Sequence, residues 1–244
     1  MTKISITSLN LWNTEHWSQR ETCVVSFVQT YQSDIYCFQE VRSESLAVLD
    51  SALPSHQRIQ GKEPGWTCES TIYLKKDFCK VIDFGLFPLT MPEIHRGLFW
   101  IRIQLSSGKE MVVCTMHLTH QLNADEARTG VSYRHQQAHE VASFLNRFDK
   151  NLPTVICGDF NDPIHPSRIL QEKGDFRDVF SLLGLPAPIT FPCPFLSDEL
   201  FLVEAIDRIM IRGAVRALIA TSPHFHMGGQ VLSDHWPVMA MLEL

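Results

Sequence analysis

The chain predicts an α/β or α+β body in which two β-sheets pack face to face. Apolar, strand-like runs recur from residue 3 to residue 242, segments of helical period fall between them, and two pairs of runs flank short polar turns as antiparallel connections do. At 244 residues, with 45% hydrophobic and 20% charged content, the sequence can bury a large core, and it is read as a single domain over 1–244.

Residues 3 to 12 alternate apolar and polar with the period of a strand and end in the polar tip Asn10-Leu11-Trp12-Asn13. From Ser18 to Tyr31, Cys23, Val24, Phe27, Val28 and Tyr31 recur at helical spacing, with Ser18 offered as the N-cap. Asp34 to Phe38 reads as a buried strand delivering Gln39-Glu40. Glu69 to Phe87 reads as two strands about the turn Lys75-Lys76-Asp77, and Gly97 to Leu105 with Glu110 to Leu118 as a hairpin about Ser106-Ser107-Gly108. Both imply antiparallel pairing.

A polar loop follows His117. Between Ser132 and Phe148, Ala138, Val141, Ala142, Leu145 and Phe148 mark one apolar helical face, and Pro153 to Cys157 is a strand running directly into Gly158-Asp159. Between Gly184 and Glu204, prolines 186, 188, 192 and 194 break regular structure, while Phe191, Phe195, Phe201 and Leu202 make the segment apolar. It either lines a substrate site or packs as a long connection over the core. Ile206 to Ile211 and Val238 to Leu242 close the chain as strands.

Composition narrows the function classes. A formal net charge of −6 and a pI near 6.0 oppose non-specific coating of nucleic acid, although a local groove of Lys and Arg remains compatible with a nuclease. Seven cysteines without a C-x-x-C pair argue against a disulfide framework or a zinc knuckle and fit a reducing compartment, the cytoplasm. No span is long enough to cross a bilayer, the N-terminus lacks the apolar core of a signal peptide, and no obligate protein partner is implied.

Polar residues gather at the ends of the apolar runs: Asn10, Glu40, His117, Asp159 with Asn161, Asp207, and Asp234 with His235. Carboxylates, an amide and imidazoles in such positions suit metal-assisted attack on a phosphate ester. Taken singly, each has an ordinary reading: Gly158-Asp159-Phe160-Asn161 as an Asx turn, Glu40 as a solvated strand end, Asn10 as a turn residue. Together and in order, Leu9-Asn10, Gln39-Glu40-Val41, Thr115-Met116-His117-Leu118, Gly158-Asp159-Phe160-Asn161, Asp207-Arg208-Ile209 and Ser233-Asp234-His235 resemble the endonuclease/exonuclease/phosphatase superfamily, the deoxyribonuclease I-like fold.

That resemblance spans residues 9 to 235. It implies a four-layer α-β-β-α sandwich, two packed mixed β-sheets flanked by helices, with the site along one edge. It implies Glu40 as a metal ligand, since a hard cation such as Mg²⁺ prefers carboxylate oxygen, with Mn²⁺ as a substitute; Asn10 joins it at the metal or holds a phosphate oxygen, and Asp234 completes the acidic set. Asp159 then orients or deprotonates the attacking water, and Asn161 fixes that geometry. His117 and His235 face the phosphate, oriented by Glu69 and Asp207 respectively.

Arg96 and Arg134 fall where relatives often carry Arg, either to contact phosphate or to form a structural ion pair. Trp12, Trp66 and Trp236 either stack on a base or sugar or pack in the core. The implied activity is a divalent-metal phosphodiesterase acting on a phosphate ester, DNA or RNA among the candidates. A phospholipid or inositol-phosphate esterase is the second reading, suited to the apolar stretch from Leu185 to Leu202. A binding module of the same fold without activity is the third.

Overall fold

The computed structural model describes residues 1–60, 70–91, 96–193 and 204–244. In chain order the elements are β1 (Lys3–Asn10), α1 (Trp17–Tyr31), β2 (Ile35–Gln39), α2 (Ser43–Ala52), β3 (His56–Arg58), β4 (Ser70–Lys75), β5 (Cys79–Pro88), β6 (Gly97–Leu105), β7 (Glu110–His117), α3 (Ala124–Thr129) and α4 (Tyr133–Leu145). There follow β8 (Thr154–Asp159), α5 (His165–Gly174), β9 (Arg177–Asp178), α6 (Val179–Leu182), β10 (Asp207–Arg212), β11 (Arg216–Thr221), β12 (His226–Met227), β13 (Gln230–Val231) and β14 (Val238–Glu243). One six-stranded sheet has the order β11-β14-β1-β2-β4-β3, the other β5-β6-β7-β8-β10-β9. Each is mixed: β1–β2 and β7–β8 are parallel and their other pairings antiparallel.

Strand alternation makes the layers. Ile35 and Cys37 of β2 turn inward with Ile4 and Ile6 of β1, meeting Val113 of β7, Val155 and Cys157 of β8 and Ile209 and Ile211 of β10 in one buried cluster between the sheets. The intervening residues face outward. Tyr36 and Phe38 pack with Cys23, Val24, Phe27 and Val28 of α1 and Leu46 and Leu49 of α2, while Ile156, Cys114 and Met210 pack with Val141, Ala142 and Leu145 of α4 and Leu170 of α5. Helix, sheet, sheet, helix is therefore the layer order, the four-layer sandwich that the motifs imply.

Local expectations meet two corrections. Ser18 does not cap α1: the helix begins at Trp17, and its N-cap is His16 in a left-handed conformation, because the chain enters through a turn in which Trp12, Asn13 and His16 all have positive φ. The turn at Lys75-Lys76-Asp77 does not close a hairpin. β4 pairs with β2 and β3 whereas β5 pairs with β6, so the turn carries the chain from one sheet to the other. The 97–118 hairpin is formed as expected.

Alternation also positions the chemistry. Asn10, Gln39, His117, Asp159 and Asp207 continue the inward parity of their strands, and the register sets His117 beside Asp159 and Asp159 beside Asp207. The interlayer core thus ends in a row of polar side chains. Among the described residues no helix is long and apolar enough to cross a membrane.

Candidate active site

Strand ends and the loops beside them form one cleft of about 340 Å³, lined by Trp12, Asn13, Glu40, Arg96, His117, His120, Gln121, Asp159, Asn161, Phe191, Ile206, Asp234 and His235. A larger hollow of about 600 Å³ opens near Leu152 and Pro153, at the opposite end of β8, and its Arg102 and Glu110 are already paired at 2.6 Å. The chemistry belongs to the smaller cleft.

The backbone at its floor is specialised. Gly158 has φ of 140°, and a Cβ there would lie 1.9 Å from the Met116 carbonyl oxygen, so only glycine lets β8 lie this close to β7 before Asp159. Glu40 and Asn161 also hold positive φ, 53° and 51°, an uncommon conformation that turns each side chain sharply off its strand end.

Asp159 lies at the centre and is 1% exposed. Its Oδ1 accepts the Asn161 N–H at 2.8 Å, and its Oδ2 accepts from Asn10 Nδ2 at 3.0 Å; His117 Nε2 stands 3.4 Å and His235 Nε2 3.8 Å from that same oxygen. Burial pushes its pKa up, but the two imidazoles and these donors outweigh burial and hold it below the ordinary carboxylate range. Asp159 is therefore a carboxylate. Asn161 donates Nδ2 to the Leu118 carbonyl at 2.9 Å, fixing the loop from which its own N–H holds Asp159.

His235 Nδ1 meets Asp207 Oδ2 at 2.8 Å. Burial alone would lower the pKa of this ring; Asp207, Asp234 and Asp159 together raise it well above the ordinary value. The ring carries the proton, with Asp207 as its buried counter-ion. The backbone N–H of Asp207 donates to Thr190 Oγ1 at 3.1 Å, and the Phe191 ring lies 4.9 Å from His235, covering one side of it.

The acidic wall comprises Glu40 and Asp234. Burial pushes Asp234 up to about 6; His235 opposes the rise, while Glu40 and Asp159 add to it. A buried carboxyl that resists ionisation, with a second carboxylate beside it, is a donor set that a hard divalent cation fits, since the cation supplies positive charge and takes oxygen ligands. Glu40 and Asp234 line the same cleft and offer such oxygens. Asn10 lies beside them: its Nδ2 also donates to Glu40 Oε1 at 3.0 Å, and its Oδ1 accepts the Trp12 N–H at 2.9 Å. Here it bridges two carboxylates and fixes the strand-end turn.

Of the two arginines, Arg96 lines the cleft and donates to the Leu118 carbonyl at 3.0 Å. Arg134 does not reach it. The residue is 7% exposed, its guanidinium paired with Glu126 at 2.8 Å and bonded to the Thr119 carbonyl at 2.9 Å, an internal ion pair joining α3 to α4. Glu69, expected beside His117, and Trp66 lie outside the described residues, as does part of the apolar 185–202 stretch. Trp12 lines the cleft; Trp236 is buried against His224, ring centroids 4.6 Å apart.

Several contributors escaped the sequence reading. Asn13 Nδ2 donates to Glu40 Oε2 at 3.2 Å, and Gln39 Nε2 crosses between the sheets to Thr115 Oγ1 at 2.8 Å. Arg20, 1% exposed, bonds the Leu232 carbonyl and lies 5.2 Å from the Trp12 ring, while burial, opposed by Asp234 and Glu40, lowers its pKa to about 10. Its signal was legible: Arg20 falls on the same helical stripe as Cys23, Val24, Phe27 and Val28, where a charge needs a reason.

Comparison with known proteins agrees with this fold. A family model described as the Endonuclease/Exonuclease/phosphatase family matches residues 8–235. Human tyrosyl-DNA phosphodiesterase 2 is 24% identical over 260 residues, covering 98% of this chain and 69% of the relative. The structure of D. rerio TDP2 complexed with a single-strand DNA product superposes with a TM-score of 0.82 at 20% identity over 100% of both chains. A mannosyl-6-phosphatase from Bacteroides thetaiotaomicron gives 0.77 at 19% identity over 99% of this chain and 100% of that one. At such identities the structural likenesses establish the fold.

Proposed function

The chain belongs to the Endonuclease/Exonuclease/phosphatase family, and from that premise we propose that it is a Mg²⁺-dependent phosphodiesterase, a single catalytic domain over 1–244 hydrolysing nucleic-acid or nucleotide-like phosphate esters. The observation carrying the proposal is the convergence on one oxygen, Asp159 Oδ2, of Asn10, His117 and His235, with Glu40 and Asp234 alongside.

Asp159 stays ionised, so it accepts a hydrogen bond from the attacking water and aims a lone pair at phosphorus. A carboxylate held below its ordinary range is a better orienter than proton acceptor. His235 carries a proton that Asp207 stabilises, and its Nε2 donates to phosphoryl oxygens as negative charge accumulates in the transition state. His117, 2% exposed, donates from the other side. Glu40 and Asp234 would hold a divalent ion, which would supply Lewis-acid polarisation of a phosphoryl oxygen.

The human relative is a tyrosyl-DNA phosphodiesterase, and the aromatic residues Trp12 and Phe191 line the cleft, which supports a nucleotide-bearing substrate. Six free cysteines among the described residues support work in the cytoplasm.

The test is hydrolysis with Mg²⁺ or chelator on single-stranded DNA, duplex DNA, RNA, a phosphotyrosyl oligonucleotide, sphingomyelin, inositol phosphates and a sugar phosphate. Mg²⁺-dependent cleavage of a nucleic-acid ester is expected, with Asp159→Asn and His235→Ala each lowering kcat by at least about 100-fold. Turnover confined to lipid, inositol or sugar phosphates would replace the substrate class. Near wild-type rates in both variants would remove the site assignment.

A further inference from the structure

A second cluster of titratable groups lies outside the catalytic cleft. His135 is in the first turn of α4, His165 opens α5, and Asp162 immediately follows Asn161 in the loop between β8 and α5. Each presents one ligand atom, and the three atoms lie within 4.8 Å of one another. We propose that His135, Asp162 and His165 form a site for a borderline transition-metal cation of the Zn²⁺ class, separate from the acidic set that suits Mg²⁺.

The donor chemistry separates the two sites. Two imidazoles and one carboxylate match Zn²⁺, whereas the wall of Glu40 and Asp234 is oxygen-only and suits a harder ion. The geometry needs little change. Bonds of about 2.0–2.1 Å to a tetrahedral ion place ligand atoms about 3.3 Å apart; His165 Nδ1 already stands 3.1 Å from Asp162 Oδ2, and the His135 and His165 ring centroids are 4.7 Å apart. Side-chain rotation of the exposed His165 and half-buried His135 can close the remaining gap, and their exposure gives an ion a path in.

Asp162 is held for this role by its other oxygen. Oδ1 accepts the N–H groups of Ile164 and His165 at 2.8 and 2.9 Å, which fixes the carboxylate plane and leaves Oδ2 beside His165 Nδ1 at 3.1 Å. Helix capping accounts for Oδ1; it does not account for a histidine of α4 bringing a ring nitrogen within 4.8 Å of the carboxylate and of His165. Arg134 Nε lies 3.9 Å from Asp162 Oδ2 and opposes a cation there, but Glu126, paired with Arg134 at 2.8 Å, offsets its charge. The three-ligand set leaves a fourth position for water. A bound ion ties the start of α4 to the start of α5, and through Asp162 it adjoins the loop carrying Asp159 and Asn161.

The experiment compares chelator-stripped wild type with the double variant His135→Gln/His165→Gln, titrating Zn²⁺ by calorimetry against excess Mg²⁺ and recording thermal unfolding. Wild type is expected to bind one more Zn²⁺ than the variant. Loss of both imidazoles should weaken that site by more than about 100-fold, since outer-sphere partners alone change metal affinity by about 10–100-fold. A hundredfold excess of Zn²⁺ over Kd should raise the wild-type Tm by about 5 °C more than that of the variant. Mg²⁺-supported activity, equal in both, checks that the variant is folded. Equal Zn²⁺ stoichiometry and equal Tm response in the two proteins would overturn the site.

Discussion

Asp234→Asn should stabilise the metal-free protein while disabling it. In the fold this carboxyl has its pKa pushed from the ordinary 3.8 to about 6. Between those two values the unfolded chain has released the proton that the folded chain retains, so metal-free stability falls as pH rises through this window, and the loss is complete above it. At about 1.4 kcal/mol per pH unit, the ionised carboxylate costs about 3 kcal/mol at pH 8. Asparagine keeps an Oδ1 to accept the Ser233 hydroxyl, bonded at 3.1 Å in the wild type, and removes the charge. Urea denaturation in chelator should therefore show the variant more stable by up to about 3 kcal/mol at pH 8, and by about half as much at pH 5. Added Mg²⁺ should reverse the order, because only the wild type retains both Glu40 and Asp234. A variant no more stable than wild type at pH 8, or a gain that does not vary between pH 5 and 8, would refute the claim that crowded carboxylates await a cation.

Asp207→Asn should move the alkaline limb of the kcat profile toward acid by about one pH unit or more, because the His235 proton, lost as pH rises through its elevated pKa, would lose its main counter-ion; superimposable profiles would count against His235 acting as an imidazolium. Gly158→Ala forces a Cβ onto the Met116 carbonyl at a φ alanine disfavours and should cost about 2–4 kcal/mol, read by urea denaturation. Arg134→Ala leaves Glu126 buried without its partner and should cost about 3 kcal/mol with KM unchanged; a tenfold rise in KM at unchanged stability would return Arg134 to the substrate.

Local pattern made most of the framework legible. The alternating run at 3–10, the apolar run at 35–38 and the hairpin runs at 97–105 and 110–117 are strands whose two faces meet different layers, and the stripe through Cys23, Val24, Phe27 and Val28 is a helix because one face had to be buried. Weaker patterns escaped: α2, α3 and α5 are short, and β11 pairs with only one neighbour and carries residues half exposed, so neither period stands out in them. The Lys75–Asp77 turn looked like a hairpin because turn chemistry specifies a reversal and not the strand that pairs next. Arg134 could be set near a phosphate by position alone, but its partner Glu126 is on another helix and invisible to spacing.

The sequence by itself determined the residue types of the chemistry, their order and their attachment to strand ends, since each is written in a few consecutive residues. Tertiary structure decided what those groups are. Packing two sheets brings Asn10 of one within 3.0 Å of Asp159 of the other, and no local signal encodes a contact across 149 residues. Burial among like charges then decides which group is ionised: Asp159 below its ordinary pKa, Asp234 above it, His235 protonated on Asp207. Protonation follows from desolvation and neighbouring charge, and both exist only once the chain is folded.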